Sequence, residues 1–208
     1  MRLTQGDGPI SGDPPCVIPS TVYIAAVCLS SCATPEQQIL SQSARGEKVQ
    51  YSTFLEALTQ NHKYVATLRS ESNLHSRSLQ ATKVEQWVTE MMDSEHDILN
   101  FQIRSGGTLR LTPNHPIVTS DGMLKLAGDF KVGDDLVRLG GELDPIIGIT
   151  EAKHFGKVYN VFVHSADPMK NVVITNGYLN GTAFYQNEGA KFMNRRVFQG
   201  RMIRGVFN

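Results

Sequence analysis

Two groups of residues in this 208-residue chain have the types and spacing that chemistry requires. The first is Thr112-Pro113-Asn114-His115-Pro116, which follows the alternating run Leu109-Arg110-Leu111 and precedes the apolar pair Ile117-Val118. It reads as a polar corner between two strands, where side chains are aimed rather than buried. Its histidine can exchange a proton near neutral pH. The second group is Cys16, Cys28 and Cys32, all within the first 32 residues, too early to staple the main body. A Cys16–Cys28 bridge in an oxidising compartment is left open by the spacing. The six histidines are scattered and none stands at ligand spacing from these cysteines, so no metal is expected. Taken singly, Cys32 reads as a small buried residue near a strand end, and His115 as a corner residue hydrogen-bonded for structure.

The elements around these residues read as short strands. Residues 1–20 hold three glycines and four prolines, a density of breakers that predicts an extended leader without regular structure. Val22 to Val27 predicts a strand ending at Cys28, too short to span a bilayer. Further strands are predicted over Lys63 to Arg69, Ala81 to Met92 (one strand or a pair), Ile98 to Ile103, Met123 to Ala127, Pro145 to Thr150, Val158 to Val163 and Val172 to Thr175. Ser105-Gly106-Gly107-Thr108 reads as a hairpin turn whose two glycines supply positive φ. Phe54 to Leu58 has helical spacing over barely two turns. The fold class is therefore all-β with little helix. An internal echo accompanies it. Thr34-Pro35 with Ile39 matches Thr112-Pro113 with Ile117 at an offset of 78, while Gly46 and Phe54 match Gly122 and Phe130 at 76. A two-residue deletion in a turn would reconcile the offsets, and the echo suggests a pseudo-two-fold domain.

Composition, at 40% hydrophobic and 19% charged, is ordinary for a globular chain. Twenty basic residues balance twenty acidic ones, which removes any argument for nucleic-acid binding by bulk charge. Beyond Ala183 the balance shifts, with Lys191, Arg195, Arg196, Arg201 and Arg204 against Glu188 alone.

In combination the motifs resemble those of Hint domains, the module shared by inteins and the autoprocessing part of Hedgehog proteins. Cys32-Ala33-Thr34-Pro35-Glu36 with Ile39 and Gly46 is similar to the opening block. Thr112-Pro113-Asn114-His115 matches the Thr-x-x-His block, and Asp121-Gly122 through Gly133-Asp134 the segment after it. Val158-Tyr159-Asn160-Val161 with Asn176-Gly177 is similar to the closing block. The likeness divides the chain into a leader, 1–31, comparable to an N-extein; a Hint domain, 32–182; and a basic and apolar tail, 183–208. It implies a flat, horseshoe-like β fold with pseudo-two-fold symmetry and no cofactor.

The resemblance also implies a reaction, autocatalytic and single-turnover. The Cys32 thiol attacks the Ser31 carbonyl, the Ser31–Cys32 peptide bond becomes a thioester, His115 protonates or hydrogen-bonds the departing nitrogen, and Thr112 helps to polarise or twist the bond. An amide nitrogen leaves only if protonated, which suits a group titrating near neutrality. A thiol one residue from its target gains several kcal/mol in effective concentration, order-of-magnitude. Hedgehog-type members activate the cysteine with an acid before the Thr-x-x-His block; Asp93 stands at a similar place, with Glu90 as its substitute.

The closing block departs from splicing inteins. Alignment on Asn176-Gly177 puts Asn171 where the block histidine belongs and Gly181-Thr182 where the His-Asn pair belongs. Asn160 stands in place of a frequent aspartate, Asn180-Gly181 is a sequence prone to cyclise, and His164 falls inside the block. The expectation is N-terminal cleavage or transfer without splicing, with the chain's own leader as substrate and water or a small nucleophile resolving the thioester. Two alternatives stand beside it. One is an unreactive Hint fold serving as a binding or structural module of a surface protein. The other is a lipoprotein lipidated at Cys32, since Leu29-Ser30-Ser31-Cys32 is similar to a bacterial lipobox, although Asp7 and Asp13 against Arg2 give the wrong charge for a signal segment. Either would suit a secreted or cell-surface bacterial protein, and the basic, apolar tail could contact a membrane.

Overall fold

The structure, a computed structural model, describes residues 16–18, 23–24, 32–90, 92–163, 165–186 and 189–198. Ser31, Cys28 and His164 lie outside the described residues, as do most of the leader and the end of the tail. In chain order the strands are β1 (Cys16–Ile18), β2 (Tyr23–Ile24), β3 (Gln38–Gln42), β4 (Gln50–Thr53), β5 (Tyr64–Leu68), β6 (Leu79–Lys83), β7 (Gln86–Glu90) and β8 (Ser94–Ile103). They continue with β9 (Thr108–Leu111), β10 (Pro116–Val118), β11 (Leu124–Leu126), β12 (Asp135–Val137), β13 (Leu143–Gly156), β14 (Tyr159–Phe162), β15 (Val172–Thr175) and β16 (Tyr178–Gly181). A single α-helix among the described residues, α1 (Phe54–Thr59), is nucleated by a capping box in which Thr53 and Glu56 satisfy each other's backbone N–H groups.

The central sheet runs β11-β10-β16-β15-β3-β5-β6, with β4 paired to β3. Its middle is the hairpin β15/β16, turned by Asn176 and Gly177, both at positive φ as a tight Asn-Gly turn requires. The Asn176 carboxamide ties this turn to both halves of the chain. Its Oδ1 accepts from the Gln38 N–H at 2.7 Å, and its Nδ2 donates to the Thr108 carbonyl at 2.8 Å. On either side the pattern repeats. Ile39 of β3 pairs with Thr175 of β15, and Ile117 of β10 with Asn180 of β16. Ser41 pairs with Val65 as Thr119 pairs with Leu136. The pseudo-two-fold echo is therefore real, but the deletion it contains is larger than two residues. Phe54 and Leu55 N–H groups bind the Gln37 and Pro35 carbonyls, while Ala127 and Gly128 bind those of His115 and Pro113. The backbone equivalent of Phe54 is thus Ala127, at an offset of 73, and the hairpin after β10 is five residues shorter. Phe54 and Phe130 share the same core without sharing a backbone position.

The central strands are buried along their whole length, because the sheet is covered on both faces. One face carries Ile39, Ile117 and Val65, packed with Leu136 of β12 and with Phe54, Phe101 and Phe130. The other carries Leu40, Val118, Ile174 and Leu179, covered by Phe184, Tyr185 and Phe198 from beyond Thr182. Gly122 is at φ +80, and a Cβ there would lie 2.7 Å from the Phe198 carbonyl oxygen, so the close approach of this segment requires glycine.

One local expectation left open is decided and two change. Ala81 to Met92 resolves into the pair β6 and β7. Of the hairpin glycines only Gly106 has positive φ; Gly107 is required because a Cβ there would meet the Tyr178 hydroxyl at 2.6 Å. Within the breaker-rich leader, β1 forms between Pro15 and Pro19 because β7 offers it an edge, in the register Cys16↔Glu90 and Val17↔Thr89. Strand pairing overrides local composition there. No helix of the described residues is long and apolar enough to cross a membrane.

Candidate active site

Cys32 to Thr34 lies between two strands. Ala33 exchanges both backbone hydrogen bonds with Tyr159 of β14, at 2.8 and 2.9 Å, and the Thr34 N–H donates to the Arg110 carbonyl of β9. Cys32 is held more tightly still. Its carbonyl accepts from the Thr112 N–H at 2.9 Å. Its own N–H, on the nitrogen that joins it to Ser31, donates to Thr112 Oγ1, also at 2.9 Å. The Thr112 hydroxyl lies 3.3 Å from the Cys32 carbonyl, to which it donates in turn. One threonine thus grips the residue by both backbone groups.

The Cys32 side chain is fully buried and packs against Ile98 of β8 and Val158. His115 and Thr112, expected from the sequence to be aimed rather than buried, are buried as well, at 1% and 2% exposure. The corner that carries them is fixed by backbone bonds: the His115 N–H donates to the Thr112 carbonyl at 3.0 Å, and the His115 carbonyl accepts from Ala127 at 2.7 Å. Gly128 closes the corner from outside by donating to the Pro113 carbonyl. Thr112 thus joins Cys32 to the corner that carries His115, although 80 residues separate Cys32 from Thr112.

The remaining candidates are distributed as follows. Asp93 is exposed, in the turn between β7 and β8, whereas Glu90 is buried at the end of β7. After burial itself, both acids help to push the Tyr159 phenol up from its ordinary value. Asn160 is buried in β14, and its Oδ1 accepts from the Val161 N–H. Asn171 is buried too, donating from Nδ2 to the Ser165 and Asp167 carbonyls, and its own carbonyl accepts from Thr182. Asn180 lies on β16 opposite Ile117, with Nδ2 donating to the Tyr178 carbonyl. No cluster of three or more His, Cys, Asp or Glu side chains able to hold a metal occurs among the described residues.

Sequence reasoning did not single out His96. It is buried on β8, and its Nε2 lies 2.7 Å from Glu90 Oε2. The signal available was strand parity: His96 stands two residues before Ile98 and so shares its face. Also missed was Gln37, which occupies in the first half the place that His115 occupies in the second.

No protein-family model and no curated protein sequence matches the chain. Solved structures do. A DnaB intein from Synechocystis superposes with a TM-score of 0.53 at 20% identity, over 74% of this chain and 99% of that one. A bacterial intein-like domain from Clostridium thermocellum gives 0.54 at 17% identity, over 74% and 99%. An intein from a hyperthermophile gives 0.59 at 12% identity, over 73% and 99%. About three-quarters of the chain thus superposes on complete inteins, and its described body has the Hint fold that inteins and intein-like domains share.

Proposed function

We propose that the chain is a self-processing Hint domain that rearranges its own Ser31–Cys32 peptide bond. Cys32 is the nucleophile, Thr112 holds and polarises the scissile nitrogen, and His115 is the proton donor. The observation that carries this reading is the hydrogen bond from the Cys32 N–H to Thr112 Oγ1. A hydroxyl at that nitrogen fixes its orientation as its bond to Ser31 weakens, and orientation of this kind is worth orders of magnitude in rate. In the step itself the Cys32 sulfur forms a bond to the Ser31 carbonyl carbon and the carbon–nitrogen bond breaks. The nitrogen becomes the free amine of Cys32, protonated by His115.

The thioester is then resolved by water or a small nucleophile, which releases residues 1–31. Residues 32–182 form the processing domain. Residues 183–208 stay attached, because Asn171, Gly181 and Thr182 stand where the side chains of C-terminal cyclisation would have to be. Asp93, exposed between β7 and β8, contributes negative charge beside the Tyr159 phenol.

Hydroxylamine treatment of the purified chain, followed by intact mass, tests the reading. A fragment ending at Ser31 is expected, and Cys32→Ala must abolish it. Full-length mass persisting in the parent chain under those conditions would rule the reading out.

A further inference from the structure

Part of the proposed substrate is paired with the body of the molecule well away from the bond to be cut. β1 and β2 form a hairpin in the register Val17↔Ile24 and Ile18↔Tyr23, and β1 adds to the edge of β7 through Cys16↔Glu90 and Val17↔Thr89. The sheet runs β14-β7-β1-β2, so without the leader β7 would be its last strand. β7 reads Gln-Trp-Val-Thr-Glu and has no proline and no lysine, the residues that blunt an open edge. Such an edge is a template for an added strand, with main-chain hydrogen bonds supplying the affinity.

One row of paired residues joins this edge to the candidate active site. Ala33 pairs with Tyr159 of β14, Tyr159 with Thr89 of β7, Thr89 with Val17 of β1, and Val17 with Ile24 of β2. At about 4.8 Å per strand, Ile24 stands ~19 Å from Ala33 across the sheet. Residues 25–31 connect Ile24 to Cys32, and an extended chain of that length reaches about 26–29 Å. The hairpin can therefore stay on β7 while the Cys32 nitrogen is held by Thr112. Closing this short connection confines the Ser31 carbonyl to a small part of the volume that a free leader would sweep.

We infer that the edge of β7 is a substrate-binding site, separate from the reacting residues, which takes the leader by strand addition and limits the directions from which the Ser31 carbonyl meets the Cys32 sulfur. Its location rests on strand pairing alone; its consequence for cleavage rests on the proposed acyl shift. Recognition runs through backbone N–H and C=O groups. The class of segment accepted is thus an extended stretch with its N–H groups free at positions 16–18, ending some eight residues before the nucleophile, whatever its side chains.

The test is amide hydrogen exchange along β7, read by NMR in the full chain carrying Cys32→Ala, which keeps the leader attached. Hydroxylamine cleavage is measured in parallel in chains that retain Cys32. Successive N–H groups of β7 point alternately to β14 and to β1, and both sets are expected to be protected. Val17→Pro with Ile18→Pro places two prolines in a strand that has neighbours on both sides, which a sheet does not accommodate. In that chain the amides facing β1 should exchange at least about tenfold faster while those facing β14 keep their protection, and cleavage should slow about tenfold as the carbonyl loses its orientation. Val17→Thr with Ile18→Thr keeps every N–H and should behave as the parent; loss of protection there overturns recognition through the backbone. Equal exchange of the β1-facing amides in the parent and proline chains overturns the inference, as does loss of their protection with cleavage unchanged. If the parent never cleaves but protection depends on the prolines, the binding site stands and the acyl shift falls. Should the proline chain fail to fold, β1-facing amides that exchange in the parent as fast as exposed ones overturn the inference by themselves.

Discussion

The two halves of the molecule build the same corner twice and use it differently. In each, Thr-Pro leads to a residue whose N–H returns to the threonine carbonyl at 3.0 Å: Gln37 to Thr34, and His115 to Thr112. In each, two successive N–H groups of a short helical turn clamp the corner from outside. The first corner is spent on structure. Thr34 Oγ1 donates to Glu36 at 2.6 Å, and Gln37 Oε1 accepts from the Arg110 N–H and from Asn176. The second has the same backbone but turns its threonine hydroxyl onto the Cys32 nitrogen. Duplicating a rigid corner supplies a positioned frame; what the threonine hydroxyl and the residue three places on touch then differs between the two, and under the proposed function that difference separates a corner that holds from one that reacts.

His115→Gln converts the second corner into a copy of the first and is the strongest way to break the comparison. Glutamine has no proton to donate near neutral pH, so hydroxylamine-induced cleavage should fall by about a hundredfold or more, the range typical of a lost general acid. Thermal unfolding should show a folded protein. The reverse change, Gln37→His, should create no second reactive site, and its cost should appear in stability alone, at about 1–3 kcal/mol for the bonds lost to Arg110 and Asn176.

The threonines sharpen the same contrast more gently. Thr112→Val keeps the shape and removes the oxygen that accepts from the Cys32 N–H. Cleavage should drop on the order of ten- to a hundredfold as the scissile nitrogen loses its orientation. Thr34→Val removes a hydroxyl that serves only Glu36, and single-turnover rates should be unchanged while stability falls by about 0.5–1.5 kcal/mol. Equal rate effects at the two positions would contradict the division of labour between the corners.

Asn176→Ala attacks what the halves share. It removes the acceptor for Gln38 and the donor to Thr108 and Gln37, at a residue of positive φ that favours asparagine. A loss of about 2–3 kcal/mol is expected from denaturant titration, with the cleavage rate of the folded fraction retained.

Much of this was legible in the sequence, for identifiable reasons. The Thr-Pro echo marked both corners, since proline and a tight turn leave a local signature. Cys32, Thr112 and His115 were singled out because their motifs stand in order along the chain. The offset of 73 between Phe54 and Ala127 was hidden, because backbone N–H groups carry no residue identity and two phenylalanines of one core mimicked the repeat. Full burial of β15 and β16 erased the alternation that would have shown which face meets which core. The Glu90–His96 pair forms across a turn between two strands, and although Glu90 was noted as an acid before the Thr-x-x-His block, nothing in the sequence marked His96 as its partner. β1 depends wholly on the edge of β7, which no reading of Pro15 to Pro19 contains.

The smallest expected effect concerns pH and again separates the halves. In the first, Ser41 Oγ lies 2.9 Å from His62 Nδ1, and burial pushes that imidazole below its ordinary value despite the opposing pull of Glu47 and Glu56. The counterpart of Ser41 is Thr119, whose hydroxyl bonds Asp121 and the Met123 carbonyl within its own turn, so no buried imidazole depends on it. A base with a depressed folded value binds fewer protons in the folded state than in the unfolded one. Its contribution is therefore fully present above the unfolded value of 6.5 and is lost as pH falls through that value toward the folded one. The thermal midpoint should thus begin to fall as pH drops through 6.5, above the carboxylates, whose ordinary values are about 4. His62→Gln should flatten that slope, whereas Thr119→Val should leave it intact. A slope unchanged by His62→Gln would remove the first half's claim to be the acid-sensitive one.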